Sequence, residues 1–214
     1  AVALEKILEK DEILKLPFAK ILIGLDGKYS LVPGELSHIV KTENELVSRG
    51  SETDIVFESP ALVLQVLKRF FEQSELLHLN ATYFNLLPEY FDASKEKIFV
   101  NVSKGYLDII RFNSENKLQL MNRYEYQTAS DFIYFVLLCC DELKVDREQT
   151  ELVLLGEVDI QSKIYDMCYH YFYSITFIQK PDGIYFSNPL SLFQTTFILI
   201  YIFLVHENHW SQIK

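Results

Sequence analysis

The run IFVNVSKGYLDIIRF, residues 98–112, places Asn101, Ser103, Lys104 and Gly105 where two apolar stretches meet at a two-residue Lys-Gly link. This is the pattern of a β-hairpin, and a tight hairpin can cup a phosphate with its backbone N–H groups. Other candidates for chemistry are weaker. Cys139, Cys140 and Cys168 are odd in number and show no CxxC spacing, and His170 follows Cys168 too closely to share its helix face. Reduced, buried thiols are therefore expected. His206 and His209 stand about one helical turn apart, but two ligands are too few for a stable metal site. Asp159 reads as a helix cap, and Asp108, inside the second strand of the hairpin, as an exposed edge residue. No G-x-x-x-x-G-K-[ST], H-E-x-x-H or G-x-S-x-G run occurs.

The elements that must carry these residues fall into two segments, 1–92 and 98–214, divided at the polar run DASKEK from Asp92 to Lys97. In the first, Leu4, Ile7, Leu8 and Leu14 mark a helix, and AKILIGL and KYSLVP read as a hairpin closed by Asp26-Gly27. TDIVFE is a strand, and Ser59 followed by Pro60 reads as an N-cap with proline at the first helical position before ALVLQVLKRFFEQ. LLHLN is a further strand, and Thr82 to Tyr90 a helix.

The second segment has sharper boundaries. KIFVNVS, YLDIIRF and LQLMNRYEYQ are three consecutive antiparallel strands. Thr128 with Asp131 forms a capping box before DFIYFVLLCCDEL, TELVLLG is a buried strand, Asp159 opens a helix from Ile160 toward Tyr171, and SITFI returns as a strand before Pro181, Asp182 and Gly183. Three antiparallel strands followed by alternating helix and strand predict an α/β mixed sheet with helices on its faces, the order of a ribonuclease H-like fold.

Composition narrows the function. Of 214 residues 49% are hydrophobic, so a substantial core can form. A formal net charge of -10 repels a phosphate backbone, which argues against nucleic acid as a partner. Lys95, Lys97 and Lys104 are read as solvated surface. The opening AVALEKILEKDEILKL is amphipathic and lacks a signal-peptide core. Phe197 to Val205 is continuously apolar but short of the roughly 20 residues that span a membrane. Membrane association is not expected, and the thiols favour the cytoplasm.

IFVNVSKGYLDIIRF, LQLMNRYEYQTASDFIYF and LVLLGEVDIQSKIY together resemble a bacterial family of unknown function classed with the actin-like ATPases. The resemblance implies two ribonuclease H-like lobes related by duplication, the first lacking its amino-terminal strands. In that superfamily the first hairpin of each lobe carries Asp-x-Gly for Mg²⁺ and phosphate, and a glycine pair holds the adenosine. Here the hairpin positions read Asn101, Val102 and Ser103, followed by Lys104 and Gly105, and the adenosine loop reads Gly156 followed by Glu157. Asn101 lacks the charge, the Cβ of Ser103 hinders a phosphate, and Glu157 would repel one that it faced. Asp26-Gly27 is read as a turn and not as a remnant phosphate hairpin.

A non-catalytic scaffold or interaction module with a degenerate nucleotide site, no cofactor and a protein partner is therefore expected. The alternative is a divergent ATPase or phosphotransferase using Mg²⁺-ATP, with Asp108 or Asp159 recruited. A nuclease is excluded, because IFVNVS holds no carboxylate for a two-metal site. Tyr165, Tyr169, His170, Phe172 and Tyr173 crowd one helix, and packing between helix and sheet is preferred to an interface.

Overall fold

The computed structural model describes residues 2–178 except 19, 41–44, 51 and 88–95. Phe197 to Val205, His206, His209, Lys95 and the breakers at Pro181 to Gly183 lie outside the described residues, as does most of the polar run at Asp92. The chain divides into two compact units, Ala1–Asn85 and Leu86–Lys214.

The first unit contains α1 (Val2–Lys10), β1 (Leu22–Leu25), β2 (Tyr29–Pro33), α2 (Ser37–Val40), β3 (Glu45–Ser48), β4 (Thr53–Glu58), α3 (Ala61–Phe70), β5 (Glu75–His78) and α4 (Ala81–Leu86). Helix α1 is shorter than its apolar spacing predicts, and a single 3₁₀ turn, Ile13–Lys15, follows it. Leu4 and Leu8 lie one turn apart on α1, and Val63, Val66, Leu67 and Phe70 recur at helical spacing on α3. These stripes meet around Phe71, Ile23 and Leu25.

The hairpin expected at Asp26-Gly27 does not form. Strand β1 runs parallel to β5, whereas β2 joins a separate antiparallel sheet in the order β2-β4-β3. A two-residue turn signal reports a local bend, but burial decides which strands pair, and β1 places Ile23 and Leu25 against the helices by pairing with β5. Gly24 permits this packing, because a Cβ there would stand 2.2 Å from a methyl group of Leu79.

His78 ties the region together. It is fully buried between the rings of Tyr29 and Phe57, at centroid distances of 4.9 and 5.1 Å. Its Nδ1 accepts from the Asn80 N–H at 3.1 Å, so its Nε2 carries the proton and donates to the Gly27 carbonyl at 3.1 Å. Its own N–H donates to the Ser48 hydroxyl.

The Ser59-Pro60 expectation is corrected by one residue. Pro60 itself is the N-cap of α3, with extended ψ of 128° and no side-chain capping bond, and Ser59 is buried at the end of β4. The helix therefore begins at Ala61, after the extended peptide that proline imposes on its neighbour.

The second unit contains β6 (Lys97–Ser103), β7 (Tyr106–Phe112), β8 (Leu118–Glu125), α5 (Ala129–Glu142), β9 (Glu151–Gly156), α6 (Lys163–Tyr169) and β10 (Ser174–Phe177). The sheet order is β10-β9-β6-β7-β8, with β6, β7 and β8 antiparallel and β9 and β10 parallel to β6, as the sequence predicts. Alternation sends Ile98, Val100, Val102, Leu107, Ile109, Leu152 and Leu154 to one face, where Phe132, Val136, Cys140, Cys168 and Phe172 cover them. The capping box at Thr128 and Asp131 is present.

Asp159 is not the cap of α6. Its carboxylate accepts from the Gln161 N–H at 2.7 Å and shapes the preceding turn, while Ser162 caps the helix by accepting from the Tyr165 N–H at 3.1 Å. The aromatic residues do not share one helix as expected, since α6 ends at Tyr169 with His170 as its C-cap and Phe172 and Tyr173 follow it, and their packing is divided. Phe172 is buried and Tyr165 stacks on Phe177, but Tyr169, Tyr171 and Tyr173 face outward. Lys97 is half-buried and pairs with Glu151 at 3.4 Å, so it is not simply solvated surface, whereas Lys104 is exposed.

Burial pushes the Cys140 and Cys168 thiols up to about 12, and it also raises Cys139. At pH 8 all three should therefore resist alkylation by iodoacetamide in the folded protein and react in urea, as mass spectrometry would show. Rapid labelling of Cys140 in native protein would contradict this packing.

The backbone N–H groups of Gln127 and Thr128 donate to Asp131 and hold its carboxyl below the usual range. A lowered folded-state pKa stabilises α5 above the unfolded value and loses that contribution as pH falls through the folded one. Asp131→Asn should therefore flatten the acid side of the stability profile. Thr128→Ala should cost about 1 kcal/mol in urea unfolding at neutral pH.

Candidate functional site

The hairpin expected to hold a phosphate is formed by β6 and β7. Strand register places Asn101 opposite Asp108, and Asp108 opposite Arg123 of β8, so the three side chains share one face of the sheet. Asp108 is not an edge residue, because β7 lies between β6 and β8 and the carboxylate is fully buried. Its burial is made tolerable by a fork. Arg123 donates from Nε to Oδ1 at 2.8 Å and from Nη2 to Oδ2 at 2.9 Å, while the Asn101 amide donates to Oδ2 at 3.4 Å. The guanidinium also lies 4.1 Å from the centre of the Tyr106 ring.

The remaining candidate residues serve the same closure. Gly105 turns the hairpin with a φ of +88°, which its missing Cβ permits. Its carbonyl accepts from the Tyr126 N–H at 3.0 Å, and the Ser103 carbonyl accepts from the Tyr126 hydroxyl at 3.0 Å. The Tyr126 phenol is raised by burial and, secondarily, by the carboxylate of Glu157. Lys104 stands exposed at the tip.

Gly156 ends β9 with a φ of +80° and lies against β6, where a Cβ would stand 2.2 Å from the Val102 carbonyl and 2.7 Å from Asn101 Oδ1. The next N–H, that of Glu157, donates to the same Val102 carbonyl at 2.7 Å. The structure thus brings Asn101, Ser103, Gly105, Gly156 and Glu157 together at the ends of β6 and β9. The glycine is used for contact between strands, and the hairpin carbonyls are used by Tyr126.

Sequence reasoning missed Arg123, Tyr106 and Tyr126. Asp108 and Arg123 could have been paired from the strand register, since a carboxylate in the apolar run of β7 calls for a cation opposite it. Asp159 is not brought to this group as an acid, since its carboxylate belongs to the turn before α6. Among the described residues no group of three or more His, Cys, Asp or Glu side chains could hold a metal ion, and no helix is long and apolar enough to cross a membrane.

Residues 1–175 match the sequence profile described as "Protein of unknown function (DUF3822)". The chain belongs to the DUF3822 family. No curated protein is significantly similar to it in sequence. Among solved structures, the DUF3822 chain is similar to a Bacteroides thetaiotaomicron protein with an actin-like ATPase fold and unknown function, at a TM-score of 0.73 and 18% identity over 83% of this chain and 75% of that one. It is also similar to a structure of the PilM-PilN type IV pilus biogenesis complex, at a TM-score of 0.53 and 10% identity over 92% of this chain and 82% of that chain. The fold is that of the actin-like ATPases, as the hairpin and the strand order imply.

Arg123→Leu should leave the Asp108 carboxylate buried without its fork and cost about 3–5 kcal/mol in urea unfolding. Adding Asp108→Leu should restore part of that loss. Gly156→Ala should destabilise by a similar amount or prevent folding, because the added methyl group meets backbone on β6.

Proposed function

We propose that this DUF3822 protein is a non-catalytic interaction module in which the nucleotide position of an actin-like fold has become structural. The observation that carries the reading is the Asp108 fork: both oxygens of the carboxylate nearest the hairpin are engaged by Arg123. Asn101 brings no charge, and Ser103 and Gly156 place atoms or backbone contacts where a phosphate and an adenosine would need open glycine. These residues do not fit Mg²⁺-ATP, and we assign the chain no cofactor and no reaction.

The partner is proposed to be another protein. The structural neighbour that forms a complex with PilN supports this by analogy of fold. Tyr169, Tyr171 and Tyr173 add three exposed aromatic rings of the kind that anchor interfaces. The net charge of -10 argues against nucleic acid, and the three reduced thiols accord with the cytoplasm.

Calorimetric titration of Mg²⁺-ATP into the full chain, beside a thermal melt, tests the reading. Neither saturable heat nor a rise in melting temperature is expected up to about 1 mM nucleotide, a concentration that would detect even weak binding. Saturable binding accompanied by release of phosphate would overturn it in favour of an ATPase or phosphotransferase.

A further inference from the structure

Strand β8 is an edge of the five-stranded sheet, and among the described residues no strand pairs with its outer side. It is eight residues long and holds neither proline nor lysine, whereas the opposite edge, β10, has only four residues. A long edge without such blocks offers its main-chain donors and acceptors to any extended chain. The Tyr126 N–H donates to the Gly105 carbonyl, so by alternation along the antiparallel ladder Met121, Arg123 and Glu125 turn their main-chain groups away from β7.

One of these groups already meets a substitute for a neighbouring strand. The Arg123 N–H donates at 3.0 Å to the side-chain carbonyl of Asn122, an exposed residue whose amide donates in turn to the Tyr124 hydroxyl at 3.0 Å. An amide folded back on its own edge occupies the place of an incoming carbonyl and can give way to one.

The edge is also one wall of a groove. Tyr124 stacks on Phe135 with ring centroids 4.7 Å apart, and its hydroxyl lies 3.4 Å from Cys139 Sγ, so α5 runs beside β8. Helical spacing puts Leu138 and Glu142 on the stripe of Phe135, and Tyr134 meets the Phe135 ring edge to face. Tyr134 and Leu138 are 59% and 36% exposed. A strand added to β8 would send alternate side chains toward this apolar stripe.

Charge selects the occupant. Helix α5 contains Asp131, Asp141 and Glu142 and no base. Asp131 is used by the helix cap, but Asp141 and Glu142 are exposed in the last turn, where the helix carbonyls already favour a cation. Lys144 and Arg147 follow, yet residues 141–148 still hold four acids against two bases. The groove therefore combines an apolar wall with an acidic end.

We propose that the β8–α5 groove takes an extended segment of another protein in which apolar residues alternate with lysine or arginine, hydrogen-bonded to β8 as a sixth strand. The inference rests on the interaction-module reading and gives it a surface and a partner chemistry.

Fluorescence anisotropy of a labelled, end-capped, eight-residue peptide of alternating valine and lysine, titrated with the full chain, tests the proposal. Hydrogen exchange of residues 118–125 is read in the same complex. The controls carry glutamate in place of lysine or are N-methylated at every residue. The valine-lysine peptide should bind saturably and slow exchange in β8, with each control at least about tenfold weaker. Leu138→Lys should weaken the peptide by about tenfold, and Asn122→Ala, which removes the internal substitute, should tighten it by about threefold. Thermal melts by circular dichroism would show that both exposed variants remain folded. No saturable binding, no slowing in β8, equal binding of the N-methylated peptide, or indifference to both substitutions would each overturn the proposal. Self-association that Leu138→Lys abolishes and the peptide cannot displace would overturn it in favour of a second copy of this chain. A failed peptide test beside inert Mg²⁺-ATP overturns this surface and spares the interaction-module reading, and peptide binding beside nucleotide turnover would do the reverse.

Discussion

A carboxylate held at zero exposure in the middle of a sheet governs the second unit. Asp108 lies on β7, between β6 and β8, and is fully buried, and a buried ion without partners would be several kcal/mol unfavourable. Its neighbours on both sides are accordingly polar: Asn101 on β6 and Arg123 on β8, in the same cross-strand row. The planar guanidinium matches both oxygens at once, and Tyr106 covers its face. Each constraint passes to the next strand, and the row fixes the register of all three.

That row also explains why the nucleotide position reads as it does. An Asn in place of the superfamily's Asp avoids a second carboxylate beside Asp108, and a Gly at 156 lets β9 reach the Val102 carbonyl without a Cβ between them. The substitutions that look like losses when each is compared with a phosphate-binding motif belong to one packed arrangement.

The second unit was legible because its signals were local. Alternation defined β6 and β7, Lys104-Gly105 joined them, and Thr128 with Asp131 opened α5. The failures had different physical origins. Asp26-Gly27 bends the chain, but parallel pairing of β1 with β5 depends on contacts about 50 residues away, which no local pattern records. Strand β3, at four residues, is too short for periodicity to stand out. Of the candidate site, the hairpin and the position of Gly156 could be read directly. The occupation of that site by Arg123 and Tyr126 required strand register, a tertiary property that only the fold makes explicit.

The topology also bears on the order in which the second unit assembles. Strands β6, β7 and β8 follow one another through short links, whereas β9 joins β6 only after a connection that includes α5. Loop-closure entropy favours the early appearance of the meander over the crossover. Asp108 and Arg123 both belong to the meander, so the ion pair can form while the sheet is still wet. Docking of β9 then completes the central sheet around charges that already have their partners, and the chain need never carry a lone carboxylate through the desolvation step of folding.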